Sequence, residues 1–106
     1  IKIFWWKDKL NWDLDNLKKF FKDKNVYITF DVDGFDSSIM PATGTPEPGG
    51  LLWEDVIPII KKVCKISNIV GADINELAPI KNFNSYNFLV AKLAYKILAY
   101  TFEFKD

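Results

Sequence analysis

The chain has no excess of charge: 14 lysines and arginines balance 14 aspartates and glutamates across 106 residues. No global field therefore draws it to nucleic acid or to an anionic membrane surface. It has one cysteine, Cys64, so no internal disulfide can form. That fits a reducing compartment, with Cys64 read as a small core residue. No apolar run approaches the roughly 18 to 20 residues that a bilayer-spanning helix needs. The opening IKIFWWKDK lacks the basic flank and long apolar segment of a secretory signal. These absences predict a soluble, cytoplasmic protein with neither nucleic acid nor membrane as a partner. Internal repeats and low-complexity tracts are also lacking. The first residue is Ile1, and the chain opens directly in an apolar run, as if cut from something longer.

What is present is a packed globular composition: 49% of residues are hydrophobic and 16% aromatic, which argues against disorder. The length suits one domain, 1–106, or a piece of a larger one. Residues 1–6 are β-branched or aromatic apart from Lys2, which predicts a short edge strand. Leu10, Leu14, Leu17, Phe20 and Phe21 then fall at helical spacing, predicting a helix over 13–22 that Asn11 or Asp13 caps. A near-continuous apolar run predicts a strand over 26–32 of the kind buried on both faces of a parallel sheet.

A second helix is predicted over 52–65, with Glu54 and Asp55 serving its dipole. Pro58 should make it start late or bend near Glu54. A strand follows over 69–74, then a helix over 85–102 capped by Asn84 or Ser85. Helix, strand, helix, strand, helix with short connections is the alternation of an α/β fold with a parallel sheet covered on both faces. Lys61, Lys62 and Lys65 read as a solvated helix end. Phe4, Trp5, Trp6 and Trp12 read as packing against further sheet, or alternatively as an assembly contact.

Function is sought in the long loop between the first buried strand and the second helix. The strand ends in three acids, Asp31, Asp33 and Asp36, and the loop carries Gly34, Gly44, Gly49, Gly50, Pro41, Pro46 and Pro48. So long a loop in so small a domain is usually functional. Residues two apart in extended backbone point the same way, so Asp31 and Asp33 can place both carboxylates on one target. Such hard oxygen donors suit magnesium, manganese or calcium; the bland alternative is that they cap a turn. An EF-hand is excluded, since its fifth, sixth and twelfth positions would be Phe35, Asp36 and Ala42 rather than an oxygen ligand, glycine and glutamate. The second strand also ends in acids, Asp73 and Glu76. Asp73 could orient a ligand from behind or hydrogen-bond backbone.

The string FDVDGFDSSIMPATGTPEPGG, followed by VGADINELAP, resembles the C-terminal part of the ureohydrolases, the arginase and agmatinase family of binuclear manganese enzymes. The resemblance runs from about Val26 to Tyr100. TGTPEPGG and FLVAKLAYKILAY are similar to agmatinase-like members in particular. It implies a partial three-layer αβα arginase-like fold carrying only the C-terminal strands and helices. It also implies a cofactor of two Mn2+ ions, held in part by Asp31 as the bridging ligand and Asp33 as a ligand of the second ion. Thr45 would line the substrate pocket, and Glu76 would pair with the guanidinium group of a guanidino substrate such as agmatine. A planar guanidinium presents paired donors that a carboxylate accepts in bidentate fashion.

The family's reaction releases urea and an amine, with the metals lowering the pKa of bound water. The resemblance further implies a homo-oligomer. Two departures stand against it: Ser37 replaces the usual proline after Asp36, and the chain has no histidine. The family takes two metal ligands from histidines in GGDHS-like and DAHxD-like motifs nearer the N-terminus. The expectation is therefore a C-terminal fragment that is inactive by itself. The alternative is a non-catalytic remnant acting as a binding or assembly module.

Overall fold

The computed structural model describes residues 1–105. Its elements are α1 (Lys18–Phe21), β1 (Asn25–Asp31), α2 (Trp53–Ile66), β2 (Asn68–Asn75) and α3 (Asn84–Glu103). Short 3₁₀ turns at Trp6–Asn11, Leu14–Leu17 and Val32–Gly34 precede and connect them. β1 and β2 form a parallel pair, and α2 lies in the crossover that parallel pairing requires. Val26 faces Ile69 and Tyr27 faces Gly71, so Val70 is an extra residue that bulges out of β2. From there the register runs unbroken to Asp31 opposite Asn75.

The pleat divides β1 cleanly. Val26, Ile28 and Phe30 turn inward with the fully buried Val32, while Tyr27, Thr29 and Asp31 turn outward and are exposed. The expectation of a strand buried on both faces is thus corrected. Within the described residues the apolar face meets the helices, and the other face is polar and open. The core joins Val32, Phe35 and Met40 from the turn and loop after β1 to Val56, Ile60, Val63 and Cys64 of α2 and to Leu93, Ile97 and Tyr100 of α3. Cys64 is buried, as expected, and burial pushes its thiol pKa up.

Several predicted boundaries move. Residues 1–5 form no strand; Phe4 and Trp6 instead pack edge-on against Trp12, and Phe4 against Phe20. A strand needs a ladder partner, and among the described residues none lies beside this segment. The helix predicted over 13–22 begins as a 3₁₀ turn and becomes α-helical only at Lys18. Asp13 does cap it, accepting from the Asp15 N–H at 2.8 Å. α2 starts at Trp53 and runs through Pro58, so it does not start late. Pro58 sits early in the helix and removes one N–H there. The Asp55 carboxylate satisfies the opening by accepting from the Leu52 N–H at 2.9 Å.

Neither Asn84 nor Ser85 caps α3; Phe83 occupies that position without a side-chain hydrogen bond. Lys62 is not merely solvated, because its ammonium pairs with Asp15 and ties the N-terminal turns to α2. No helix is long and apolar enough to cross a membrane among the described residues.

Candidate metal and substrate site

At the carboxyl end of β1 the backbone leaves the sheet through the 3₁₀ turn Val32–Gly34. The Asp31 carboxylate caps that turn, accepting from the Asp33 N–H at 3.3 Å. The turn therefore holds the two aspartates together by local chemistry. Asp31 lies exposed at the strand end and Asp33 is half-buried. Partial desolvation pushes the Asp31 carboxyl above its ordinary range, and the neighbouring Asp33 side chain adds to this. Thr45 returns from the far side of the loop and donates its hydroxyl to Asp33 Oδ2 at 2.5 Å. Three of the four residues singled out from the sequence are thus joined in one hydrogen-bonded group.

The loop that carries Thr45 is pinned at three places. Phe35 bridges Leu51, Asp36 bridges Glu47, and Thr43 bridges Leu77 just beyond β2. Asp36 is the organiser. Its carboxylate accepts from the Ser38 hydroxyl at 2.9 Å and from the Ser38 and Gly49 N–H groups, both at 3.2 Å. These donors, the Ser38 hydroxyl foremost, hold its pKa below the usual carboxylate range. Asp36 accordingly braces the loop with both oxygens engaged inside it.

Glu76 follows Asn75, which stands opposite Asp31, so parallel pairing brings Glu76 to the same end of the sheet. Its backbone is left-handed, with φ of 70°, a conformation that costs a non-glycine residue about 1 to 2 kcal/mol. The Thr43–Leu77 bridge and the Ala78 N–H to Ala42 carbonyl bond at 2.8 Å hold the segment that follows it. The Glu76 side chain is exposed and makes no hydrogen bond among the described residues.

The open sheet face carries a polar network that periodicity could have exposed. Asp73 accepts from the Thr29 hydroxyl at 2.6 Å, from the Asn75 amide at 2.6 Å and from the Tyr27 hydroxyl at 3.0 Å. Thr29, foremost, and Tyr27 hold the Asp73 pKa down, and the Tyr27 pKa is raised in return. Asp73 is therefore bound by side chains and not by backbone. The alternation Tyr27, Thr29, Asp31 was the available signal, masked by the apolar residues between them.

Two adjacent carboxylates at a strand end are a donor set that a hard divalent cation takes. Among the described residues no third histidine, cysteine, aspartate or glutamate joins them in a metal-sized group. The residues thus fit part of such a site and leave the remaining ligands to be supplied from elsewhere.

The fold and this corner define a parallel α/β domain that presents paired aspartates and a glutamate at the carboxyl ends of its strands. A profile described as the arginase family matches residues 5–100, and the chain belongs to that family. It is 38% identical over 103 residues to an N(1)-aminopropylagmatine ureohydrolase from Synechocystis, a match that covers 94% of this chain and 33% of that protein. Its fold superposes on the agmatine ureohydrolase of Thermoplasma volcanium with a TM-score of 0.74 at 34% identity, over 91% of this chain and 33% of the other. The proclavaminate amidino hydrolase of Streptomyces clavuligerus gives 0.78 at 26% identity, over 87% and 32%. The chain thus spans about a third of the length of the relatives it matches, and its architecture is a partial arginase-like α/β fold.

Proposed function

We propose that this chain is the C-terminal part of a ureohydrolase that cleaves a guanidino compound of the agmatine type into an amine and urea. The observation that carries the reading is the Asp31–Asp33–Thr45 group beside the strand end that bears Glu76, in a chain whose relatives bear the names agmatinase and N(1)-aminopropylagmatine ureohydrolase. Asp31 and Asp33 would hold manganese ions, whose contribution when bound is to lower the pKa of water near neutral pH. Thr45 fixes the Asp33 carboxylate through its 2.5 Å hydrogen bond. Glu76 would accept the paired N–H donors of the guanidinium group.

Overall, water adds to the guanidinium carbon, the bond from that carbon to the alkylated nitrogen breaks, and the amine leaves with a proton. The 106 residues contain no histidine, so the expected behaviour of this chain alone is weak manganese binding and no turnover.

Two measurements test the reading. Sequencing the coding frame upstream of Ile1 should reveal GGDHS-like and DAHxD-like motifs, and the longer protein should release urea from agmatine in the presence of Mn2+. An upstream frame without those motifs would sink the reading as part of an enzyme. Robust urea release by the 106-residue chain would overturn its inactivity.

A further inference from the structure

Two unfavourable features meet at one point of the loop. The first is the left-handed backbone of Glu76, with φ of 70°, which a residue with a side chain adopts only when its surroundings impose it. The second is Thr43. It is 8% exposed, and its hydroxyl is shut off from solvent without a hydrogen-bond partner among the described residues. Buried hydroxyls are ordinarily paired, because an unpaired one loses its hydration and gains nothing in return. Backbone joins the two features. Thr43 forms an antiparallel bridge with Leu77, the residue after Glu76, and the Ala78 N–H donates to the Ala42 carbonyl at 2.8 Å. Strain and an unmet hydrogen bond at the same bridge are arranged for something other than stability.

The acceptor for Thr43 has to come from within. Its oxygen is closed to solvent, so a further segment or a second molecule laid on the surface does not reach it. Asp31 accepts the Asp33 N–H, Asp33 accepts the Thr45 hydroxyl, and Asp36 has both oxygens engaged by Ser38 and Gly49. Of the acids at this end of the sheet that leaves Glu76, whose side chain is exposed and makes no hydrogen bond among the described residues. Residues opposed in an antiparallel pair hold their Cβ atoms about 4.5 to 5.5 Å apart. Glu76 is one residue from Leu77, about 3.8 Å along the backbone, and its long side chain spans the remaining distance.

We propose that Thr43 is a positioning residue for Glu76, its hydroxyl donating to one carboxylate oxygen when Glu76 turns inward to receive a guanidinium group. The inference rests on the functional reading above, in which Glu76 is the acid that accepts the guanidinium. A hydroxyl donor leaves the carboxylate charged and leaves its other lone pairs free for the paired N–H donors. It also orders a long side chain beforehand, so less rotamer freedom is lost when substrate binds. Thr45, two residues on, already holds Asp33 in this way at 2.5 Å. One short segment thus orients both the metal-facing acid and the guanidinium-facing acid.

The test separates the hydroxyl from the shape of the side chain. In the 106-residue chain Thr43→Val keeps the shape and removes an unpaired group, so its urea midpoint should equal or exceed that of the wild type. In the longer protein loaded with Mn2+, the same substitution should raise KM for agmatine by about fivefold or more while kcat changes by less than about twofold. Calorimetry should show the agmatine dissociation constant rising by the same factor. Thr43→Ser keeps the hydroxyl and should restore both, and in a Glu76→Ala background Thr43→Val should add no further loss. A lower urea midpoint for Thr43→Val means that the hydroxyl is already paired, and overturns the proposal. So does a loss of agmatine affinity that Thr43→Ser fails to restore, or one that persists in full without Glu76. Urea release by the wild type with KM unchanged in Thr43→Val overturns this inference alone. A wild-type longer protein that neither binds agmatine nor releases urea overturns the functional reading and the inference with it.

Discussion

The Thr45 hydroxyl donates to Asp33 across twelve residues of chain, at 2.5 Å. A loop of this length keeps such a contact only if its own backbone is fixed, and the donors gathered by Asp36 fix it. The site is therefore set by a residue that need not touch a metal or a substrate. The three acids act differently, with Asp31 capping the turn, Asp33 taking the loop's hydroxyl and Asp36 bracing the loop from within.

Replacing Asp36 with asparagine should loosen the loop and make the loss depend on pH. Its folded-state pKa lies below the unfolded value of 3.8. The stability it contributes is therefore present above about pH 4 and is lost as pH falls through the folded-state value. Urea midpoints measured from pH 7 down to pH 3 should converge for the wild type and Asp36→Asn at the acid end. Parallel curves across that range would mean that Asp36 does not brace the loop through its charge.

The glycines of the same loop should separate sharply. A Cβ at Gly50 would lie 2.6 Å from the Asp36 N and the Phe35 carbonyl carbon, both backbone atoms that cannot swing away. Gly50→Ala should cost about 1 to 3 kcal/mol, the usual penalty of forced overpacking. Gly49 meets no obstruction but has φ of 79°, so Gly49→Ala should cost about 1 kcal/mol. Gly44 has open space and an ordinary φ, and Gly44→Ala should stay within about 0.5 kcal/mol of the wild type. Chemical denaturation of the three variants checks the order; Gly44→Ala as costly as Gly50→Ala would contradict it.

The strands and helices were legible where periodicity was strong, and the two acid-bearing strand ends were found from their composition alone. The failures have physical causes. Phe4, Trp5 and Trp6 have the side chains of a strand, yet strand propensity is a statement about fitting a pleated surface. Without a ladder partner beside them, Phe4 and Trp6 pack on Trp12. β1 read as buried on both faces because Tyr27 is large and aromatic. Its ring instead lies across Gly71 on the open face, with its hydroxyl on Asp73. The loop's closure by Asp36 was invisible because it depends on Ser38 and Gly49, thirteen residues from one end of the contact to the other.

Truncating the core beneath the site should unfold it together with the domain. Phe35 is fully buried and stacks near Phe30 and Trp53, so it joins β1, the loop and α2. Phe35→Ala should cost about 3 to 5 kcal/mol, a large share of the stability of a domain this size. Thermal unfolding followed by circular dichroism reads the loss. A change below about 1 kcal/mol would show that the loop packs independently of the core.

The Tyr27–Asp73 contact should appear directly in a tyrosine titration. The Asp73 carboxylate accepts the Tyr27 proton at 3.0 Å, and this hydrogen bond is the main reason the phenol titrates above its ordinary value of 10.0. The Tyr27 pKa is raised and the Asp73 pKa is lowered, so the stability the pair contributes is present from about pH 4 to about pH 10; it is lost at the alkaline end as pH rises through the folded-state value of Tyr27 and at the acid end as pH falls through that of Asp73. Ultraviolet titration of tyrosinate should show Tyr27 ionising above the ordinary value of 10.0. Asp73→Asn should lower it toward its ordinary value of 10.0, because the amide keeps the shape and replaces the charged acceptor with a weaker, neutral one. Thr29→Val should leave the Tyr27 titration in place, since Thr29 donates to the other oxygen of Asp73. If Asp73→Asn leaves the tyrosine titration unchanged, the network does not hold Tyr27, and the polar face of β1 is not ordered by Asp73.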